Sequence, residues 1–451
     1  MTKLRKVALV ALIALFSVSM VFAEGAKEAS ADGKVTLRVL NYIDMSEPNS
    51  ANEVALVWDK FSAENPDIEI IREDLFNEPF HQKTESYVAS GNVPDVLYMW
   101  PSGRSTSLHT TGSVQDLRPW LERDGLLDSF SAPSLAGQAG GYLGELPNGV
   151  TSSHIMFANT KLLADNGLAM PETLDDLIAM VDVLAPKGIQ VIAMDNMDSW
   201  VMQSCLFSLV VGRYGAADWY DRLAAGEIKF TDDWFVKALE AIDTLYAKGV
   251  ISRASLNSPY GNCRGEFAAG KAAFLIDGDW AAAAFMEDIT TGKALLSREQ
   301  QANDFEMVVF PALPGEVVSN TTSGVVGTGW GMSADLEMGT PKAEAAWRLI
   351  KYLQGEYVQE YRLSTGASFP SNLNVDVAKV IEEKNLEPFI GKRAEFYNTY
   401  GTTPVIDGVL HSDVYNIINV GLQEIGLGAK TPATVAAEVQ KAWEAWAASN
   451  I

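Results

Sequence analysis

Between residues 35 and 100 the sequence switches its hydrophobic period four times, and the order of those switches restricts the fold more than any other feature. Val35, Leu37 and Val39 alternate as in a strand. Ser50 and Glu53 have capping-box spacing, and Val54, Val57, Trp58 and Phe61 recur at helical spacing until Asn65-Pro66 stops the helix. Residues 68–71 return to strand character. Phe80, Thr84, Tyr87 and Val88 trace a second helix ending at Gly91, and residues 95–100 read as a buried strand. Strand, helix, strand, helix, strand requires parallel strands joined by right-handed crossovers, and open sheets of this kind bind ligands beyond the carboxyl ends of their strands. Two stretches are singled out in this way, residues 41–47 after the first strand and 100–104 after the third.

A second α/β region begins near Gly149. Strand-like residues 151–158 lead to Thr173-Leu174-Asp175-Asp176 and apolar Leu177, Met180, Val181 and Leu184, the spacing of a capped amphipathic helix. Further helices fit Phe235 to Leu245, Ala346 to Leu353 and Val435 to Trp443. A chain of 451 residues exceeds what one hydrophobic core supports, so two or more domains are expected. No low-complexity linker separates the two regions. The chain should therefore cross between two lobes several times and leave a cleft.

The compartment is written at the start. Lys3, Arg5 and Lys6 precede an apolar run over residues 7–18 and then Val21-Phe22-Ala23, which reads as a secretory signal peptide with cleavage after Ala23. Residues 24–34 read as a flexible leader. No cysteine lies near the cleavage site, so a free protein held in a periplasm-like space is expected. The formal charge of −24 becomes more negative once the basic signal peptide is lost, which excludes nucleic acid as a partner. Cys205 and Cys263 form no disulfide framework, and whether they pair is left open; Cys205 sits in an apolar run where a buried free thiol is the simpler reading. His81, His109, His154 and His411 have no metal-pair spacing, and no metal or cofactor is expected.

Catalytic motifs are missing. Gly265, Gly270 and Lys271 imitate a phosphate-binding loop, but Ala272 stands where a hydroxyl must hold magnesium. Residues 327–331 lack the spacing of a dinucleotide loop. There is no Gly-x-Ser-x-Gly, His-Glu-x-x-His or Cys-x-x-Cys. A glycosidase pair of carboxylates is defined by separation in space, so 58 acidic residues leave that alternative open.

Several segments in order resemble the extracellular solute-binding proteins of family 1, the sugar receptors of ATP-driven importers. They are Phe61-Ser62-Ala63-Glu64-Asn65-Pro66-Asp67-Ile68, Gly91-Asn92-Val93-Pro94-Asp95-Val96, Asn159 with Lys161, Gly167-Leu168, residues 171–177, and residues 267–274 followed by Gly278-Asp279-Trp280. Ala158 and Leu174 depart from the family's usual tyrosine and tryptophan. The resemblance implies a two-lobed periplasmic-binding-protein fold of type II character, with residues 35–147 plus 321–370 as the first lobe and 148–320 plus 371–451 as the second. It also implies a monomeric receptor, not an enzyme, that binds a mono- or oligosaccharide and delivers it to permease subunits by hinge closure.

A sugar offers hydroxyls at its edge and an apolar C–H face, which call for planar polar groups and aromatic rings respectively. Of eleven tryptophans, Trp100, Trp200, Trp280 and Trp330 lie in turns beside small or polar residues and are the candidates for stacking, with Trp280 matching the family's Gly-x-Trp segment. Trp58, Trp234, Trp347 and Trp443 fall in helices and suit packing. Asn41, Asp44, Glu47, Arg104, Asp279 and Asp407 are the candidates for hydroxyl contacts, and His81 could also face the cleft. Two other functions stay open: a secreted glycoside hydrolase or lyase, and a sugar receptor for a chemosensory partner.

Overall fold

The computed structural model describes residues 33–46, 48–100, 102–131, 133–135, 142–288, 291–326 and 328–450. The expected signal peptide and cleavage site, most of the leader, and Glu47 lie outside the described residues.

Three sheets organise the chain. The first runs from edge to edge as Ile68–Leu75, Val35–Tyr42, Val96–Met99, Gly329–Met332 and Leu146–Pro147. Its first three strands are parallel, as the β-α-β-α-β order requires, with Val35 beside Ile68 and Val39 beside Val96. The last two run antiparallel, setting Trp330 opposite both Tyr98 and Leu146. The helix Glu78–Ser90 ends at Gly91, whose φ of 64° is the left-handed stop expected there. The preceding helix starts earlier than Ser50 suggested. It begins at Pro48; the Ser50 hydroxyl donates to the Asp44 carbonyl, and Glu53 reaches across the chain to Arg362 at 2.9 Å. A tertiary ion pair has taken the carboxylate that a capping box needs.

The second sheet runs Gln190–Ala193, Ala272–Asp277, Ile155–Asn159 and Phe305–Val308. Against it packs the helix Leu174–Leu184, where Thr173 and Asp176 form the reciprocal cap read from the sequence. The expected strand over residues 151–158 is two strands. It breaks at Ser153-His154, where the Ser152 and Ser153 hydroxyls bond to Thr322 and Ser323, both at 2.8 Å, in place of a continuing ladder.

The third sheet, Phe369–Pro370, Gly149–Ser152, Thr321–Val326 and Gly401–Pro404, contains the segments through which the chain passes from one body to the other. Glycine is required where they meet: a Cβ on Gly149 would lie 2.0 Å from the Phe369 carbonyl oxygen, and one on Gly329 would lie 2.2 Å from that of Leu146. Beside the crossings lies a buried amide network. The Asn148 side-chain oxygen accepts from Gln354 and Arg362, both at 2.9 Å, while Gln359 donates to Ser371 at 3.0 Å and accepts from the Asn372 amide at 2.8 Å. Mutually satisfied polar groups of this kind define one arrangement more sharply than apolar contact would.

Two separate cores flank the crossings. One gathers Leu37, Val39, Trp58, Phe61, Trp120, Trp347 and Val358. The other side is filled by Leu177, Phe207, Phe235, Ile418 and Trp443 and by Phe157, Phe285 and Phe389. The molecule is therefore a mixed α/β protein of two lobes. Cys205 and Cys263 are both buried free thiols.

Candidate functional site

Each of the three parallel strands of the first lobe delivers an aromatic residue at its carboxyl end. Tyr42 closes Val35–Tyr42, Phe76 follows Ile68–Leu75, and Trp100 follows Val96–Met99. All three are half-buried. The ring centroids of Tyr42 and Phe76 are 5.0 Å apart, and those of Tyr42 and Trp100 are 4.4 Å apart. Buried Phe80 backs the group, and His81 stands edge-on to Trp100 at 4.9 Å. Burial and the nearby Arg104 guanidinium lower the His81 pKa to about 3, so its imidazole is neutral.

The second lobe presents another aromatic group. Trp200 lies 4.7 Å from Tyr260 and 6.3 Å from Trp280. The Trp280 indole N–H donates to the Tyr260 hydroxyl, which donates to Asp277 at 2.9 Å. Arg264 closes the group with bonds of 3.0 and 2.8 Å to Asp277. Trp280 lies over Gly278, where any Cβ would strike the ring at 2.2 Å. Its only donor is consumed internally, so what it can offer a ligand is its π face. The Trp200 N–H has no acceptor among the described residues.

Arg104 and Asp407 come from opposite lobes and bond to each other at 3.0 Å, with the Arg104 guanidinium 5.3 Å above the Tyr415 ring. Burial opposes the charge on Arg104, and Asp407 together with Tyr415 and Glu78 more than compensates, so its pKa is raised. The Arg104–Asp407 pair joins the two neighbourhoods: Arg104 acts electrostatically on Tyr42 and His81 of the first lobe, and Asp407 on the buried Cys205 thiol of the second, which burial pushes up and which also feels Asp277 and Arg264.

Four expected contacts are placed otherwise. Trp330 has 0 % exposure and packs in the first lobe's core against Trp58 and Tyr98, at 5.5 and 5.3 Å; on an interior strand of the sheet its ring has no open face. Asp279 is 1 % exposed and pairs with the equally buried Arg393 and with the Tyr397 hydroxyl. Burial pushes its carboxyl up, and Arg393 pulls in the opposite direction. Tyr397 also accepts from the Ser152 amide at 2.8 Å, so Asp279 holds the Trp280 turn against the crossing strand instead of facing solvent. Asn41 is buried and donates to Asp74 at 2.9 Å, while Arg72 grips the same carboxylate. Asp44 caps its own turn by accepting from the Ser46 amide at 2.9 Å. A position near a strand end does not leave a polar group free for a ligand where nearer partners within the chain claim it.

Tyr42, Phe76, Tyr260, Arg264, Asp277 and Tyr415 were not singled out from the sequence. The first two had a readable signal, since Tyr42 ends a parallel strand and Phe76 directly follows one. Tyr260 and Arg264 are one helical turn apart beside the Ser-Pro-Tyr-Gly turn, but nothing local reveals their meeting with Asp277 and Trp280.

Comparisons with known proteins agree with this architecture. Residues 57–388 match the family described as bacterial extracellular solute-binding protein. The multiple sugar-binding protein of Streptococcus mutans is 24 % identical over 397 residues, covering 84 % of this chain and 84 % of that protein. Among solved structures, a chitin oligosaccharide binding protein superposes with a TM-score of 0.79 at 22 % identity, covering 92 % of this chain and 99 % of its own. The maltose/maltodextrin-binding domain of Bdellovibrio bacteriovorus bound to maltotriose gives 0.70 at 19 % identity, covering 91 % of this chain and 99 % of its own. With about three quarters of its length matched, this chain belongs to the bacterial extracellular solute-binding proteins.

Proposed function

We propose that the protein is an extracytoplasmic carbohydrate receptor that passes its sugar to an ATP-driven membrane importer, without chemical turnover. One observation carries the reading: an aromatic surface on each lobe, Tyr42, Phe76 and Trp100 on one and Trp200, Tyr260 and Trp280 on the other, with charged groups between them. Rings suit the C–H face of a pyranose, and the ion-paired carboxylates and guanidinium groups suit its hydroxyl edge. The sugars named for the related proteins, a chitin oligosaccharide and maltotriose among them, support an oligosaccharide. Among the described residues no helix is long and apolar enough to cross a membrane.

In this reading residues 35–147 plus 321–370 form one lobe and 148–320 plus 371–451 the other, the signal peptide of residues 1–23 directs export, and the monomer closes about its ligand. Trp100 and Trp280 are the principal stacking residues. Titration calorimetry and thermal-shift assays with maltotriose, chitotriose and xylotriose test it. A ligand at a hundred times its dissociation constant stabilises the fold by about 2.7 kcal/mol, a readily visible shift. Recovering the sugar intact separates a receptor from a hydrolase or lyase. Tight binding of a peptide or metal with no response to any glycan overturns the assignment.

A further inference from the structure

The residues that hold Arg104 and those that hold Asp407 belong to different cores. Arg104 lies on the turn Ser102–Ser105 after the third parallel strand, and that turn leads to Leu108, buried in the first lobe. Asp407 lies on the short helix Ile406–Val409, fixed by Ile406 and Leu410 in the core of the second lobe and by the Ile406 amide donating to Ser208 at 3.1 Å. The two segments pack directly on one another, and each of the paired side chains is 12 % exposed. Arg104 is also seated over Tyr415, which extends from the following helix of the second lobe.

We propose that Arg104, Asp407 and Tyr415 form an interlobe latch, an ion pair backed by a cation–π contact that favours the closed arrangement of the receptor. The inference rests on the two-lobed hinge reading of the function, but not on the identity of the sugar. A contact that exists only when the lobes meet adds its free energy to that state alone, and so shifts the balance between open and closed forms before any ligand contributes. Partial burial costs Arg104 hydration, but it also reduces screening by water and salt and so strengthens the attraction to Asp407. The guanidinium is suited to both tasks at once, since its edge pairs with a carboxylate while its face covers a ring.

The purified protein alone, without sugar, provides the test. Small-angle scattering and an interlobe distance measured between spin labels should both shift to larger values in Arg104→Ala and in Asp407→Asn. The exchanged pair Arg104→Asp with Asp407→Arg should return them toward the parent values. Unchanged distances in both single variants overturn the latch, as does failure of the exchanged pair to recover them when the singles have opened. Loss of folded structure in both single variants also overturns it, because a contact between lobes leaves each core intact. Since no ligand is present, these outcomes are independent of whether the protein binds carbohydrate.

Discussion

His154 is fully buried, and its two ring nitrogens face partners that demand opposite roles. Nδ1 meets the Cys205 carbonyl oxygen at 2.6 Å and must donate, while Nε2 accepts from the Phe310 amide at 3.1 Å. Only the neutral tautomer with its proton on Nδ1 satisfies both. Burial, the largest influence, lowers its pKa from 6.5 to about 3. Between those values the unfolded chain binds a proton that the folded chain refuses, so stability is intact above about pH 6.5 and declines with acidification. The slope is about 1.4 kcal/mol per pH unit for this one residue. Urea denaturation from pH 7.5 to 4.5 should show the decline, and a His154 resonance titrating near its ordinary pKa would contradict it. Tryptophans divide by the same attention to partners. Trp280→Ala should weaken sugar binding by roughly 2–4 kcal/mol in calorimetry and leave the fold in place. Trp330→Ala should instead cost about 3–5 kcal/mol of stability in urea, the penalty of a large core cavity.

Local chemistry was most legible where an element depends on its own neighbours. Thr173 and Asp176 satisfy each other across one helical turn, and Thr173→Ala should lower stability by about 1 kcal/mol in chemical denaturation. Ser50 and Glu53 carry the same spacing, but Arg362, more than 300 residues away, takes Glu53, and no local pattern contains that information. The parallel order of the first three strands and the sites at their carboxyl ends were readable, because periodicity and crossover handedness act over short stretches. Trp330 was misjudged for the opposite reason. Its flanking glycines signal close backbone approach, and what approaches is Leu146 and Met99 of neighbouring strands, not a ligand. At the crossings, Gly149→Ala would drive a methyl group into the Phe369 carbonyl. Parting those strands should cost about 1–3 kcal/mol, visible as a lower melting temperature and faster amide exchange in residues 149–152.

At the scale of the whole molecule, the three crossings lie side by side in one small sheet, and a buried amide network sets their arrangement. In the proposed hinge mechanism the two cores move as bodies, and a bound sugar draws the lobes together only if it interacts more favourably with the closed form. Scattering with and without saturating maltotriose or chitotriose should show a smaller radius of gyration in the presence of whichever sugar binds; an identical profile would argue for a receptor closed beforehand or for a site within one lobe. The same winding has a consequence for how the protein is made. The strand Gly329–Met332 belongs between Val96–Met99 and Leu146–Pro147, yet it emerges long after both. At ordinary synthesis rates, about 5–20 residues each second, the edge of Val96–Met99 waits roughly 10–50 s for its neighbour. The three parallel strands can pair as they emerge, but the first lobe's sheet cannot be completed until about three quarters of the chain has been made.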